Sequence, residues 1–461
     1  MISDASPIKS LVLRTTFLLS GVIYVLLFFS TPMAWPIAKK PTHELAKNQI
    51  TELTSSLSLR DCYYLALKRS EAIAIRKEEI EETEAEFLKT AGEILGDADF
   101  VITDFRQDAA ESKESSGGSS VGGTLTARDR QERKFVISQP LFQGFRSIAA
   151  LGAVGSLRKQ RTQERLRAEQ LLFLDVAQAF YNLLKQKQEV EIIETIHKSL
   201  EERISELKER EKIGRSRASE VATATSRMKI IESELAQSRG ALAVAQHLLE
   251  FLIGTSFELN QLKDEPLPEE TTLALDDYLQ SSEMRHDVEA SKQAMKIAWR
   301  SVIEAQSEFW PEITLDSNVY QKREGFQKDI DWDVLFKINV PLSRGGENLG
   351  NVKQALSRWK KSKLNYSLTK RQADLNIKET YQNWHASFEE TGALREAVQA
   401  SEENFNLQKD EYSRNLVSNL DVLEALQELY SAKRQANQTY YDMKVNYWHL
   451  QVAGGVFDEL I

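Results

Sequence analysis

Cysteine is all but missing: Cys62 is alone in 461 residues, so no intrachain disulfide can form and thiols say nothing about compartment. Proline and glycine are sparse, 9 and 20 residues, while 28% of the chain is charged and 41% hydrophobic, a balance suited to long polar helices rather than a compact core. A concentrated basic surface is also lacking. The formal charge is −10 and the Lys and Arg are interleaved with Asp and Glu, which argues against a nucleic-acid partner. Catalytic signatures are missing too. The six histidines, His43, His197, His247, His286, His385 and His449, show no paired ligand spacing, and there is no Cys cluster, G-x-S-x-G or G-x-x-x-x-G-K. The expectation is no enzyme, no cofactor and no metal site.

Long apolar runs are confined to the start. Lys9 and Arg14 precede "TFLLSGVIYVLLFFS", about 15 residues, short for a spanning helix and suited to a secretory leader. Residues 1–34 therefore read as a signal peptide, with cleavage after Ala34 or Ala38 and an uncleaved anchor as the alternative, because Pro32 and Pro36 spoil an A-x-A match. No later segment has 18 consecutive apolar residues. Cys62, in "LRDCYYLAL" well past the leader, reads as a packed helical residue rather than a lipid-modified N-terminus.

What is present is a duplication. "ISQPLFQG" from Ile137 aligns with "INVPLSRG" from Ile338 at an offset of 201 residues, and the same offset pairs Phe180 with Tyr381, "SEVATA" with "LDVLEA", and Gly254 with Gly455. Upstream the offset is about 216, between "LSLRDCYYLALKRSEAI" and "LALDDYLQSSEMRHDV"; the excess falls in "ESKESSGGSSVGG", a Ser/Gly-rich loop. The expected organisation is an N-terminal segment 35–56, a first repeat 57–254, a linker 255–272, a second repeat 273–455 and a tail 456–461.

Each repeat predicts helix, strand, loop, strand, helix, tight turn, helix. The strands are "DFVITDFR" and "RKFVISQ", then "PEITLDSNVYQ" and "DWDVLFKINV". In the last, Trp332, Val334, Phe336, Ile338 and Val340 alternate with polar residues. Pro140 and Pro341 are expected to end strands and launch helices, with Gly144, Gly345 and Gly346 supplying the bend. Residues 144–213 contain no proline, enough for a helix of roughly 100 Å. Its narrow stripe of Leu166, Phe173, Ala177, Phe180 and Leu184, and that of Ile377, Tyr381, Trp384 and Phe388, have coiled-coil spacing and read as core.

Alternating strands of about ten residues in an exported chain fit an outer-membrane barrel, since only closed barrels satisfy strand hydrogen bonds in hydrocarbon. Four strands leave two open edges, so closure requires further copies of the chain. The duplicated unit, the "PLFQG" and "PLSRGG" junctions, and the turns "EREKIGRSRASEVATA" and "DEYSRNLVSNLDVLEA" resemble the TolC family of outer-membrane efflux and type I secretion channels over residues 57–455. The resemblance implies a mainly α fold with a membrane β-barrel portion. It implies a homotrimer whose twelve-stranded barrel lies in outer-membrane lipid and continues into a long periplasmic α-helical barrel. It also implies a passive exit duct, working with a periplasmic adaptor protein and an inner-membrane pump. The alternative is a periplasmic coiled-coil adaptor that never enters the membrane.

In the two turns Gly214 and Asn415 are equivalent, and both tolerate the left-handed conformation that stops a helix. Glu220 and Asp421 are equivalent, and Glu424 follows Asp421 at i+3, giving two carboxylates on one helix face. The resemblance places Asp421 and Glu424 at the periplasmic entrance, with Glu220 as the counterpart in the other repeat, and matches Tyr412 to a tyrosine that holds the closed tip. A helix N-terminal cap accounts equally well for Asp421 and Glu424. Crowded in a threefold ring, such carboxylates would raise one another's proton affinity. Where family members carry a gate-locking arginine, this chain has Val417.

Overall fold

The computed structural model describes residues 56–106, 129–267, 273–324 and 327–455. The proposed leader, the Ser/Gly-rich loop and the tail fall outside them. The first repeat runs α1 (Leu59–Arg69), α2 (Glu71–Leu95), β1 (Asp97–Arg106), β2 (Asp129–Gln143), α3 (Arg146–Lys212) and α4 (Ala218–Ile253); the second runs α5 (Leu275–Ser281), α6 (His286–Ser307), β3 (Glu312–Arg323), β4 (Trp332–Asn339), α7 (Glu347–Ser413) and α8 (Asn419–Ala453). The duplication is metrical. α3 and α7 are both 67 residues long, about 100 Å at 1.5 Å per residue, and α4 and α8 have 36 and 35.

Each long helix carries three shorter helices end to end. Along α3, α4 ends at Gly254, against the Arg69 stem at the end of α1, and α1 leads into α2. Along α7, α8 ends at Gly454 beside Tyr278 of α5, whose hydroxyl accepts from Gln451 Nε2 at 3.1 Å, and α6 follows. Near the sheet the helices therefore touch in the order α2, α3, α6, α7; towards the turns the order is α4, α3, α8, α7. Among the described residues no helix is long and apolar enough to cross a membrane.

The core follows the α3 stripe. Phe173, Ala177, Phe180 and Leu184 are buried, and Tyr63 of α1 and Trp448 of α8 meet Phe173 edge-on. Cys62 is fully buried, and burial pushes its thiol up to about 12, which makes it an inert packing residue. The α7 stripe needs one correction. Ile377 is buried but Phe388 is 58% exposed, stacked on Trp384 rather than enclosed, because the neighbouring helices leave that face open.

The stretch before residue 268 is held to α8. Lys444, 1% exposed, donates to Asp264 and, at 2.9 Å, to the Glu265 carbonyl, and the rings of Tyr181, Tyr440 and Tyr441 surround it. Asp264→Ala would leave a buried ammonium without its counter-ion. We expect a loss of about 3 kcal/mol or more, read as a lowered unfolding midpoint, with Lys444→Met milder because it removes the charge itself.

Candidate functional site

The strands form one antiparallel sheet in the order β1-β2-β3-β4, so β1 and β4 are its edges. Register builds a mostly apolar face in rows, broken by Ser317 and Gln139: Trp332, Val319, Phe135 and Phe100; then Val334, Ser317, Ile137 and Ala98; then Phe336, Leu315 and Gln139; then Ile338, Ile313 and Phe142. Trp332, Val334, Phe336 and Ile338 are all more than half exposed. Val340 lies just past β4, which ends at Asn339.

The opposite face is mostly polar and hydrogen-bonded, with Val101, Val136 and Leu335 among its residues. Asn318 Nδ2 and Tyr320 Oη donate to Asp333, each at 2.7 Å, Ser138 Oγ donates to Asp316 at 2.7 Å, and Lys134 pairs with Glu132 at 3.0 Å. Below the last apolar row Phe142, Phe145 and Trp310 pack edge to face, with Phe145 and Trp310 half exposed. An aromatic cluster at the end of an apolar band matches the interfacial girdles of membrane barrels.

The junctions differ from expectation on one side. Pro140 does not end its strand: β2 runs on to Gln143, and Pro140 sits opposite Thr314 next to a register shift. It is tolerated because β1 pairing stops at Ser138, so no partner strand needs the missing N–H. In the second repeat Pro341 does lie beyond β4. Gly144 has φ +60, and a Cβ there would come within 2.7 Å of the Ser307 carbonyl and Trp310 Cβ, so only glycine fits. Gly345 and Gly346 share positive φ but have open space around them. The counterpart of Gly346 is Phe145, left-handed at φ 69, a conformation costing roughly 1–3 kcal/mol that its aromatic neighbours offset.

At the other end of the helices, Gly214 (φ +73) and Asn415 (φ +60) stop α3 and α7 in the left-handed region. Tyr412 is buried, and its ring is covered by two arginines of α3: the Arg203 guanidinium carbon lies 3.7 Å and that of Arg210 4.5 Å from the ring centroid. Arg203, 7% exposed, also donates to Asn419 Oδ1 at 2.9 Å and to Glu206 at 2.8 Å, so one side chain joins the α3–α4 hairpin to the α7–α8 hairpin. The Tyr412 hydroxyl has no hydrogen-bond partner among the described residues; the ring face makes the contact. Further along, Arg227 donates to the Leu423 carbonyl at 2.7 Å, Tyr430 to Glu234, and Arg434 to Glu189 and Glu234. Val417 packs against the apolar tip cluster of Leu207, Ala224, Val422 and Leu423.

Sequence reasoning missed Arg203, Arg210 and Asn419. The available signal was Arg203 lying seven residues before Arg210, one coiled-coil repeat, in a stripe otherwise apolar.

Asp421 and Glu424 are exposed, and Asp421 closes a capping box: Ser418 N and Oγ both donate to it at 2.7 Å. Those bonds, the Ser418 hydroxyl first, hold its carboxyl below the usual aspartate range, opposite in direction to the crowding expected of a ring. A lowered folded pKa stabilises above the unfolded value of about 3.9 and loses that contribution as pH falls below it. Ser418→Ala should therefore increase amide exchange in the first turn of α8 at neutral pH, and the difference from wild type should shrink in acid. Glu220, in the equivalent turn, accepts from Ser216 Oγ at 2.6 Å.

The model of the family described as "Outer membrane efflux protein" matches residues 278–456, the second repeat. The alkaline protease secretion protein AprF of Pseudomonas aeruginosa is 22% identical over 318 residues, 65% of this chain and 64% of that protein. The outer membrane protein TolC of Vibrio cholerae is 20% identical over 333 residues, 70% of this chain and 76% of its own length. The chain is similar to TolC and to the secretion and efflux proteins named with it. The cation efflux system protein CusC of Escherichia coli is 22% identical over 302 residues, and the match spans 66% of it; this and the AprF match each cover just under two thirds of the relative. The likeness in fold extends over both repeats. The crystal structure of VceC from Vibrio cholerae superposes with a TM-score of 0.74 at 19% identity, over 86% of this chain and 96% of VceC. The open-state MtrE channel of Neisseria gonorrhoeae gives 0.72 at 20%, over 86% and 88%.

Proposed function

We propose that this TolC-family protein is a passive outer-membrane exit duct: a homotrimer whose three sheets close a twelve-stranded barrel in the outer membrane, continuous with a periplasmic tunnel of helices. The observation that carries the reading is the sheet itself. Its apolar face is solvent-exposed in a single chain, its polar face carries a hydrogen-bonded network, and both edges are open. Lipid is the medium that satisfies the first, a water-filled lumen the second, and neighbouring copies the third. A periplasmic adaptor would leave the apolar rows in water, which disfavours that alternative.

Trp332, Val334, Phe336 and Ile338 then face lipid, and the Tyr412 tip, with Asp421, Glu424 and Glu220 near it, is the periplasmic entrance. Exposed Ile213 and Leu416 at the two tip turns offer apolar contacts to a periplasmic adaptor, which would link the duct to an inner-membrane pump. Relatives named for protease secretion and for cation efflux share the architecture, so the pump that engages the tip decides the cargo. The test is mass measurement in mild detergent combined with planar-bilayer recording. Three protomers forming a conducting pore are expected; a folded monomer with intact strands overturns the proposal.

A further inference from the structure

Cations without acids collect on the sheet-side helices of a chain whose formal charge is −10. α6 has no acid between Glu289 and Glu304, and α7 none between Glu347 and Asp374, yet these stretches hold three and seven lysines and arginines. Among them stands an aromatic pair. Trp299 of α6 and Trp359 of α7 meet at 5.1 Å between ring centroids, Trp299 is 43% exposed, and Lys363 Nζ lies 5.7 Å from the Trp359 ring. Lys296 and Arg300 flank Trp299, and neither they nor Lys363 forms an ion pair among the described residues.

The hand of the layer decides where this patch points. Tyr320, on the polar face of β3, donates its backbone N–H to the Asp331 carbonyl at 2.8 Å, on the β4 side. In an L-chain rising from the helices, that places β4, and with it α7, to the right of β3 as seen from the polar face. α6 rises with α3 on its left, where a Cβ on Gly152 would come within 2.9 Å of Arg300 Nε. A right-handed helix so placed turns Ala294, Ala298, Ser301 and Ala305, which line a groove with Arg146 and Arg358, to the side of the polar sheet face. Lys296, Trp299 and Ile303 then lie on the side of the apolar face, outside the duct. The neighbouring acids are paired or turned away. Glu304 and Glu308 line the inner groove, Glu289 pairs with Lys292 at 3.2 Å, Glu283 with Lys370, and Glu84 and Glu79 of α2 with Arg158 and Arg161 of α3.

Trp299 precedes the end of α6 at Ser307 by eight residues, about 12 Å, and Lys296 lies about 16 Å from that end, below the aromatic cluster that closes the apolar band. Lipid headgroups extend only roughly 5–8 Å past the hydrocarbon and do not reach this level. Packing of α6 on α7 explains the contact between the rings, but not an indole left open to water between cations. α6 is an inner member of the α2, α3, α6, α7 order, so ring closure at the outer members leaves this face uncovered.

We infer that the patch holds the carboxylate-bearing glycan of the cell wall: sugar rings stack on the open face of Trp299, and peptide carboxylates meet Lys296, Arg300 and Lys363. The inference rests on the trimeric duct reading, which sets the patch outward in the periplasm. Each site is small, but three around one ring bind a polymer mesh together.

The test is sedimentation of the purified trimer with isolated peptidoglycan sacculi. Wild type should pellet with sacculi at low salt and less so as salt rises. Lys296→Glu with Trp299→Ala should lower the bound fraction about tenfold, since a cation and a ring are lost at each of three linked sites. Lys208→Glu, exposed towards the turn end of α3, should change nothing. Stacking has its own readout: the Trp299 fluorescence, wild type minus Trp299→Phe, should be shielded from acrylamide by soluble muropeptides. It should not be shielded by exchanging phosphatidylcholine for phosphatidylglycerol in nanodiscs; shielding by that lipid makes the patch a membrane contact and overturns the inference. A trimer that ignores sacculi, or binds them equally in the double variant, overturns it and leaves the duct standing. A monomeric wild type overturns the duct, and the outward setting of the patch with it.

Discussion

Phe336→Arg is expected to abolish assembly in the outer membrane. Phe336 lies in the middle rows of the exposed apolar face, paired with Leu315 and one row from Val334. Arginine near the bilayer midplane costs roughly 2–4 kcal/mol per chain, and a threefold barrel carries the cost three times. Ile338→Arg should be less damaging, since its row with Phe142 borders the aromatic cluster and the cost falls towards the interface. Asn339→Arg, on the polar face opposite Glu312, should be tolerated. The measurement is the yield of heat-sensitive oligomer from outer-membrane fractions. Equal tolerance at Phe336 and Asn339 would show that the sheet faces are assigned the wrong way round.

Arg203→Gln combined with Arg210→Gln should loosen the entrance, and Tyr412→Phe should not. A desolvated arginine over an aromatic ring contributes up to about 2 kcal/mol, and a hydrogen bond to a charged donor roughly 1.5–3 kcal/mol. Removing both guanidinium groups deletes the cover of Tyr412 and the Arg203–Asn419 bond in every protomer. Single-channel conductance should rise several-fold in the double variant. Phenylalanine keeps the ring face that the arginines touch, so its conductance should stay near wild type while Tyr412→Ala opens. A phenylalanine variant that opens as widely as alanine would mean that the hydroxyl, through a contact between protomers, is the lock.

The duplication, the lengths of α3 and α7, the four strands, their alternation and the left-handed stops at Gly214 and Asn415 were legible in the residues. Each is a local property: a repeat spacing, an absence of proline, a period of two or of three and a half, or a residue type that tolerates positive φ. What tertiary structure alone decided depends on which surfaces meet. Pro140 could stay within β2 because β1 ends beside it, a fact of sheet register. Phe388 was left exposed because the helices packed on α7 do not cover that face. The contact between the two helix turns is likewise non-local: Arg203 and Asn419 stand 216 positions apart, and nothing in either segment announces the other.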